Sequence, residues 1–130
     1  MILGIGVDII EVNRIQQSIE NYGDKFLNRI FTQEEIDYSN SYKEKKYLHY
    51  SARFAAKEAF SKAIGTGITN GFHFKEINII NKPNGEPHII LQGSMLERFV
   101  GETFHISLSH INDVAVAYVV REKINQEEIC

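Results

Sequence analysis

Apolar positions recur along this chain with two different periods, and the switches between them divide it into elements. Residues 2–8, ILGIGVD, alternate, so that Leu3, Ile5 and Val7 fall on one face of a strand and Gly4, Gly6 and Asp8 on the other. From residue 11 to about 22 the spacing becomes helical (Val12, Ile15, Ile19), with Gly23 as a C-terminal stop. A short turn over 26–30 leads to Thr32 and Glu35, whose separation predicts a capping box on a helix of about two turns. The longest helical stretch runs from about 45 to 64 and ends at Gly65-Thr66-Gly67, with Gly71 following. Alternation returns in 74–81 and 88–91 around Lys82-Pro83-Asn84-Gly85-Glu86-Pro87, which reads as a hairpin. Ser94 is expected to cap a short helix through Val100, ended by Gly101. A second hairpin pairs 104–109 with 114–121, turning Phe104, Ile106 and Leu108 to the core and His105, Ser107 and Ser109 away from it. The tail from about residue 123 is polar and expected to fray.

This order, one strand, helices, a hairpin, a helix and a second hairpin, predicts an α+β fold with a mostly antiparallel sheet packed on a long central helix. No internal repeat or low-complexity segment interrupts it. The 130 residues predict one domain over 1–130, large enough to bury a core without disulfide or metal staples. The single cysteine, Cys130, can form no internal disulfide, which fits a reducing compartment such as the cytoplasm. The apolar start has no basic leader and is broken by Asp8 and Glu11, so no signal peptide is expected.

A formal net charge of −3 argues against general nucleic-acid binding, but the charge is uneven. Residues 43–62 hold six bases (Lys43, Lys45, Lys46, Arg53, Lys57, Lys62) against two acids (Glu44, Glu58). An anionic partner or an ordinary solvated helix face would each explain that window. Within it, RFAAKEAFSKAIGTG (53–67) sets Glu58 and Lys62 one turn apart on a helix lined by Ala52, Ala55, Ala56, Ala59 and Ala63. Such a pair is either a plain surface contact or, joined to the glycine-flanked Asp8, part of a magnesium site completed by substrate phosphates. No His or Cys spacing suggests zinc, and a phosphate loop is disfavoured because the glycines follow the helix instead of opening one. His105 and His110, five apart on a strand and turn, do not have the spacing of a metal pair. Tyr38, Tyr42, Tyr47 and Tyr50 read as packing or solvent-edge residues rather than a stacking platform.

Three motifs, GIGVDIIEVNRI near the start, RFAAKEAFSKAIGTG in the middle and HISLSH followed by VAVAYVV near the end, together with Asn84-Gly85-Glu86-Pro87, resemble the small bacterial-type 4′-phosphopantetheinyl transferases, the holo-acyl carrier protein synthases. The resemblance covers nearly the whole chain. It implies transfer of the 4′-phosphopantetheine arm of coenzyme A to a serine of apo-acyl carrier protein, releasing adenosine 3′,5′-bisphosphate in support of fatty acid biosynthesis. By motif position Asp8 and Glu58 would be magnesium ligands, and with Lys62, which would neutralise the pyrophosphate, they would form the catalytic set. Arg53, Lys62, Gly65, Gly85, Pro87, His105 and Ser109 would border coenzyme A. Members of this type are homotrimers with coenzyme A between subunits, and the acidic carrier docks on a basic first helix. Arg14 matches that helix, while Lys25 and Arg29 would extend the docking surface.

Two departures stand out. The first helix carries Gln16, Gln17 and Glu20 where basic residues would grip an acidic partner, which shifts the docking load to Arg14, Lys25, Arg29 and the lysines at 43–46. Glu86 stands where the family's Gly-Lys-Pro turn has lysine, leaving open the contact to the nucleotide end. The serine proton could pass to Glu58 directly or to a water at the metal. Two rival readings, a catalytically silent coenzyme A or nucleotide-binding regulatory module and a purely structural trimer-forming protein, predict no phosphopantetheine transfer.

Overall fold

The computed structural model describes residues 1–69 and 72–124. Its order is β1 (Ile2–Glu11), α1 (Val12–Tyr22), α2 (Asp24–Ile30), α3 (Gln33–Asn40), α4 (Lys46–Ala63), β2 (Ile77–Asn81), β3 (Pro87–Leu91), α5 (Gly93–Arg98), β4 (Glu102–His110) and β5 (Val114–Lys123). Short 3-10 turns at Lys43–Lys45 and Phe74–Glu76 precede α4 and β2.

The expected α+β architecture is present, with every described strand pairing antiparallel. The strands divide into a three-stranded sheet, order β1-β5-β4, and a separate β2-β3 hairpin. Helix α4 lies across the three-stranded sheet, and its alanines make that approach close. A Cβ on Gly4 would sit 2.1 Å from the Ala63 carbonyl oxygen, and one on Gly6 would sit 2.0 Å from that of Ala59. The glycine face of β1 is therefore a packing surface, where only a bare backbone fits. Asp8 does not end this strand, because antiparallel pairing with β5 continues through Glu11↔Val114.

One core forms where Ala55, Ala56, Ala59, Phe60 and Ala63 of α4 meet Ile77, Ile79, Met95, Phe99, Ala117 and Val119. Phe104, Ile106 and Leu108 pack against it from β4, as their alternation predicts. A second cluster joins Ile15, Ile30, Phe31, Ile36 and Tyr50 and fixes the three short helices to the other side of α4. At the head of α3 the capping box is complete: Glu35 N–H donates to Thr32 Oγ1 at 3.2 Å, and Thr32 N–H donates to Glu35 Oε1 at 2.8 Å.

Two local expectations are corrected. Ser94 does not cap α5; Gln92 holds that position without a side-chain bond, and Ser94 Oγ instead donates to Glu76 at 2.6 Å. The tail is ordered further than its polarity suggests, since Lys123 ends β5 and Ile124 N–H donates to the Gly101 carbonyl at 2.9 Å. Gly71 and the remaining tail through Cys130 lie outside the described residues.

Candidate active site

Alternation along β1 and the close approach of α4 bring residues fifty positions apart into one cleft. Lys62 Nζ, from the last turn of α4, donates to the Val7 carbonyl at 2.9 Å and to Asp8 Oδ1 at 3.2 Å. Its partner is thus Asp8, and no ion pair to Glu58 forms among the described residues. The simple surface pair between Glu58 and Lys62 is absent.

Asp8 and Glu58 line a cleft of about 340 Å³ together with Arg14, Ile15, Phe26 and Phe54. Burial, and then the negative charge of Asp8, push the Glu58 carboxyl above the ordinary carboxylate range, with Lys62 pulling the other way. Two carboxylates facing one half-buried cleft are a suitable donor set for a hard cation taking its remaining oxygens from water and phosphate. Two protein oxygens are what such a site requires, and no group of three or more His, Cys, Asp or Glu gathers among the described residues.

The basic window is less available than its charge suggests. Lys57 is wholly buried, donating to Glu35 Oε1 at 2.7 Å and to the carbonyls of Ile30 and Phe74 at 2.8 Å each. Glu35 Oε2 in turn accepts from Ile79 N–H at 2.8 Å. This pair ties α4, the end of α2, α3 and β2 together, and Lys57 cannot meet an outside anion. Arg53 is also buried, at 2% exposed, yet it lines a surface depression of about 220 Å³ with Gly85 and Pro87. That depression also includes Tyr38, expected only as a packing or solvent-edge residue, and His49 and His110. Tyr38 lies on α3 with no signal of its own in the sequence, and only folding sets it beside Arg53.

The other expected residues fall elsewhere. Gly65, with φ +85°, ends α4 by donating its N–H to the Lys62 carbonyl at 3.0 Å. His105 and Ser109 lie on β4 facing away from α4, and His105 Nε2 meets Glu122 Oε1 at 3.1 Å. Arg14, Lys25 and Arg29 are exposed on α1 and α2. Within one chain, then, Asp8, Glu58 and Lys62 form one group and Arg53, Gly85 and Pro87 another.

Beyond them, β1 and β5 present an apolar sheet face to solvent: Ile5 is 56% exposed, Val7 47%, Ile9 69% and Tyr118 45%. Val7 pairs directly with Tyr118 on that face.

The 4′-phosphopantetheinyl transferase superfamily model matches residues 4–119. The chain is 49% identical over 119 residues to the holo-[acyl-carrier-protein] synthase of Ruminiclostridium cellulolyticum, covering 89% of each protein. It is 43% identical over 120 residues to that of Protochlamydia amoebophila, covering 92% of this chain and 98% of the relative. Among solved structures, the holo-(acyl-carrier-protein) synthase of Bacillus anthracis in complex with CoA (3′,5′-ADP) superposes with a TM-score of 0.80 at 40% identity, over 95% of this chain and 98% of that one. The Helicobacter pylori holo-[acyl-carrier-protein] synthase in complex with coenzyme A gives 0.81 at 32% identity, over 91% and 99%.

Proposed function

The chain belongs to the 4′-phosphopantetheinyl transferase superfamily, and from that membership we propose that it is a holo-[acyl-carrier-protein] synthase, moving 4′-phosphopantetheine from coenzyme A to a serine of apo-acyl carrier protein. The observation that carries this reading is the cleft in which β1 supplies Asp8 and α4 supplies Glu58, with Lys62 held against Asp8.

In the reaction the serine oxygen forms a bond to the phosphorus bearing pantetheine, the bond from that phosphorus to the bridging oxygen breaks, and adenosine 3′,5′-bisphosphate leaves. Negative charge moves onto the leaving phosphate. Asp8 and Glu58 would hold a magnesium ion, which when bound supplies positive charge to the pyrophosphate oxygens. Lys62 would neutralise the same charge, its ammonium being directed by the Val7 carbonyl and Asp8. The serine proton would pass to Glu58, which lines the cleft, directly or through one water. Arg53, Gly85 and Pro87, with His105 and Ser109, serve the nucleotide end of coenzyme A.

The apolar face of β1 and β5 supports assembly with further copies of the same chain, and a homotrimer would bring the two residue groups together across subunit boundaries. Arg14, beside the two carboxylates, together with Lys25 and Arg29, gives the acidic carrier its docking surface. The whole chain acts as one domain in this reading, in the cytoplasm and in support of fatty acid biosynthesis. No helix of the described residues is long and apolar enough to cross a membrane.

The deciding experiment is mass spectrometry of apo-acyl carrier protein after incubation with coenzyme A, magnesium and the enzyme. The expected result is a carrier heavier by one phosphopantetheine. No gain with any carrier tried would overturn the function and leave the silent binding module.

A further inference from the structure

Arg53 is held in an unusual way for a buried cation. Its guanidinium lies over the ring of Tyr38, 4.1 Å from the ring centroid, and one terminal nitrogen donates to Asn81 Oδ1. Its Nε is buried and has no hydrogen-bond partner among the described residues. A buried donor without an acceptor is costly, and a water or an anion is one way in which it is satisfied. Arg53 and Tyr38 both line the depression that contains Gly85 and Pro87, so a ligand can enter beside them.

Tyr38 is itself braced. Its hydroxyl lies 3.1 Å from that of Tyr42, and the His49 ring stands edge-on to it at 5.6 Å while stacking on Tyr42 at 3.6 Å. A guanidinium held over an aromatic face has fewer orientations open to it, and phosphate oxygens are best taken by its in-plane donors. With an aliphatic residue at 38, Arg53 would keep its charge and lose that restraint.

Resting on the coenzyme A reading above, we propose that Tyr38 is a positioning residue: its ring holds the Arg53 guanidinium in place, so that the guanidinium meets an anionic group at the nucleotide end of coenzyme A. Tyr38 touches no reacting atom. Its effect is on cofactor affinity, acts through Arg53, and depends on the ring rather than the hydroxyl.

The test measures coenzyme A binding by calorimetry alongside steady-state transfer kinetics, for Tyr38→Leu, Tyr38→Phe and Tyr38→Trp, in the wild-type and Arg53→Leu backgrounds. Tyr38→Leu should weaken coenzyme A binding and raise its KM about tenfold, with kcat within about twofold. The Phe and Trp variants keep a ring and should bind nearly as wild type. In the Arg53→Leu background, Tyr38→Leu should add little. Dephospho-coenzyme A identifies the anion: if the Tyr38→Leu loss vanishes with it, the group is the 3′-phosphate, and if the loss persists, it is the pyrophosphate. Unchanged affinity in Tyr38→Leu, an equal loss in Tyr38→Phe, or an equal loss without Arg53 would each overturn the proposal. Because the calorimetric arm needs no turnover, wild-type protein that binds coenzyme A but transfers nothing overturns the function and leaves the Tyr38 result readable.

Discussion

A Cβ on Gly6 would lie 2.0 Å from the carbonyl oxygen of Ala59 and 2.8 Å from the amide nitrogen of Ala63, so β1 rests on the bare backbone of α4 close to the candidate site. Two residues further along β1 is Asp8, and α4 carries Glu58 and Lys62 beside the same contact. Gly6→Ala should push the strand off the helix, costing about 2 to 3 kcal/mol in urea unfolding and cutting transfer activity through displacement of Asp8. A variant with wild-type stability and activity would show that the contact does not set the site.

The carboxylates should matter to the reaction far more than to the fold. Asp8→Asn and Glu58→Gln are expected to slow transfer by roughly 100- to 1000-fold at saturating magnesium, with unchanged circular dichroism and melting temperature. Arg14→Ala, a docking change, should cost about 1 kcal/mol or less, and appear in the KM for carrier protein. Removing magnesium with a chelator should abolish wild-type transfer, and its return should restore it.

The two lysines of α4 should separate cleanly. Lys57→Met leaves Glu35 buried without its cation and should destabilise the protein by about 3 to 5 kcal/mol in chemical denaturation. Lys62→Met removes a half-exposed side chain and should leave stability nearly unchanged while reducing turnover. A stable Lys57→Met, or a Lys62→Met that unfolds, would reverse these assignments.

His49 gives a pH dependence of known sign. Burial first, then the positive charges of Arg53, His110 and Lys45, push its pKa down from 6.5 to about 4. The unfolded chain binds the proton near 6.5 and the folded one only near 4, so its contribution to stability is intact above pH 6.5 and is lost as pH falls from 6.5 to 4. Discounted for the solvent that reaches this half-buried ring, the loss is about 1 kcal/mol. Urea midpoints at pH 7 and pH 4.5 should draw together in His49→Phe relative to wild type.

Ile5→Glu places a charge on the open face of the sheet without entering the core. Sedimentation equilibrium should give the mass of three chains for the wild type and of one chain for the variant, with transfer lost in the latter. A wild type that sediments as one chain yet is fully active would remove the trimer.

Local pattern carried much of this molecule. The break at Gly65, the Thr32–Glu35 box, both hairpins and the inward alternation of Phe104, Ile106 and Leu108 depend on periods and turn chemistry that neighbouring residues supply. Asp8, Glu58 and Lys62 stood out because charges among glycines and alanines are conspicuous in one dimension, while the roles expected of them came from the resemblance. What only the tertiary structure decided is which charge meets which. Lys57 and Lys62 lie on one helix in the same basic window, yet one is sealed against Glu35 and the other reaches Asp8, because α3 covers one side of α4 and β1 the other. Tyr38 came beside Arg53 in the same way. Pairing across long sequence separations follows from packed surfaces, and no local period encodes it.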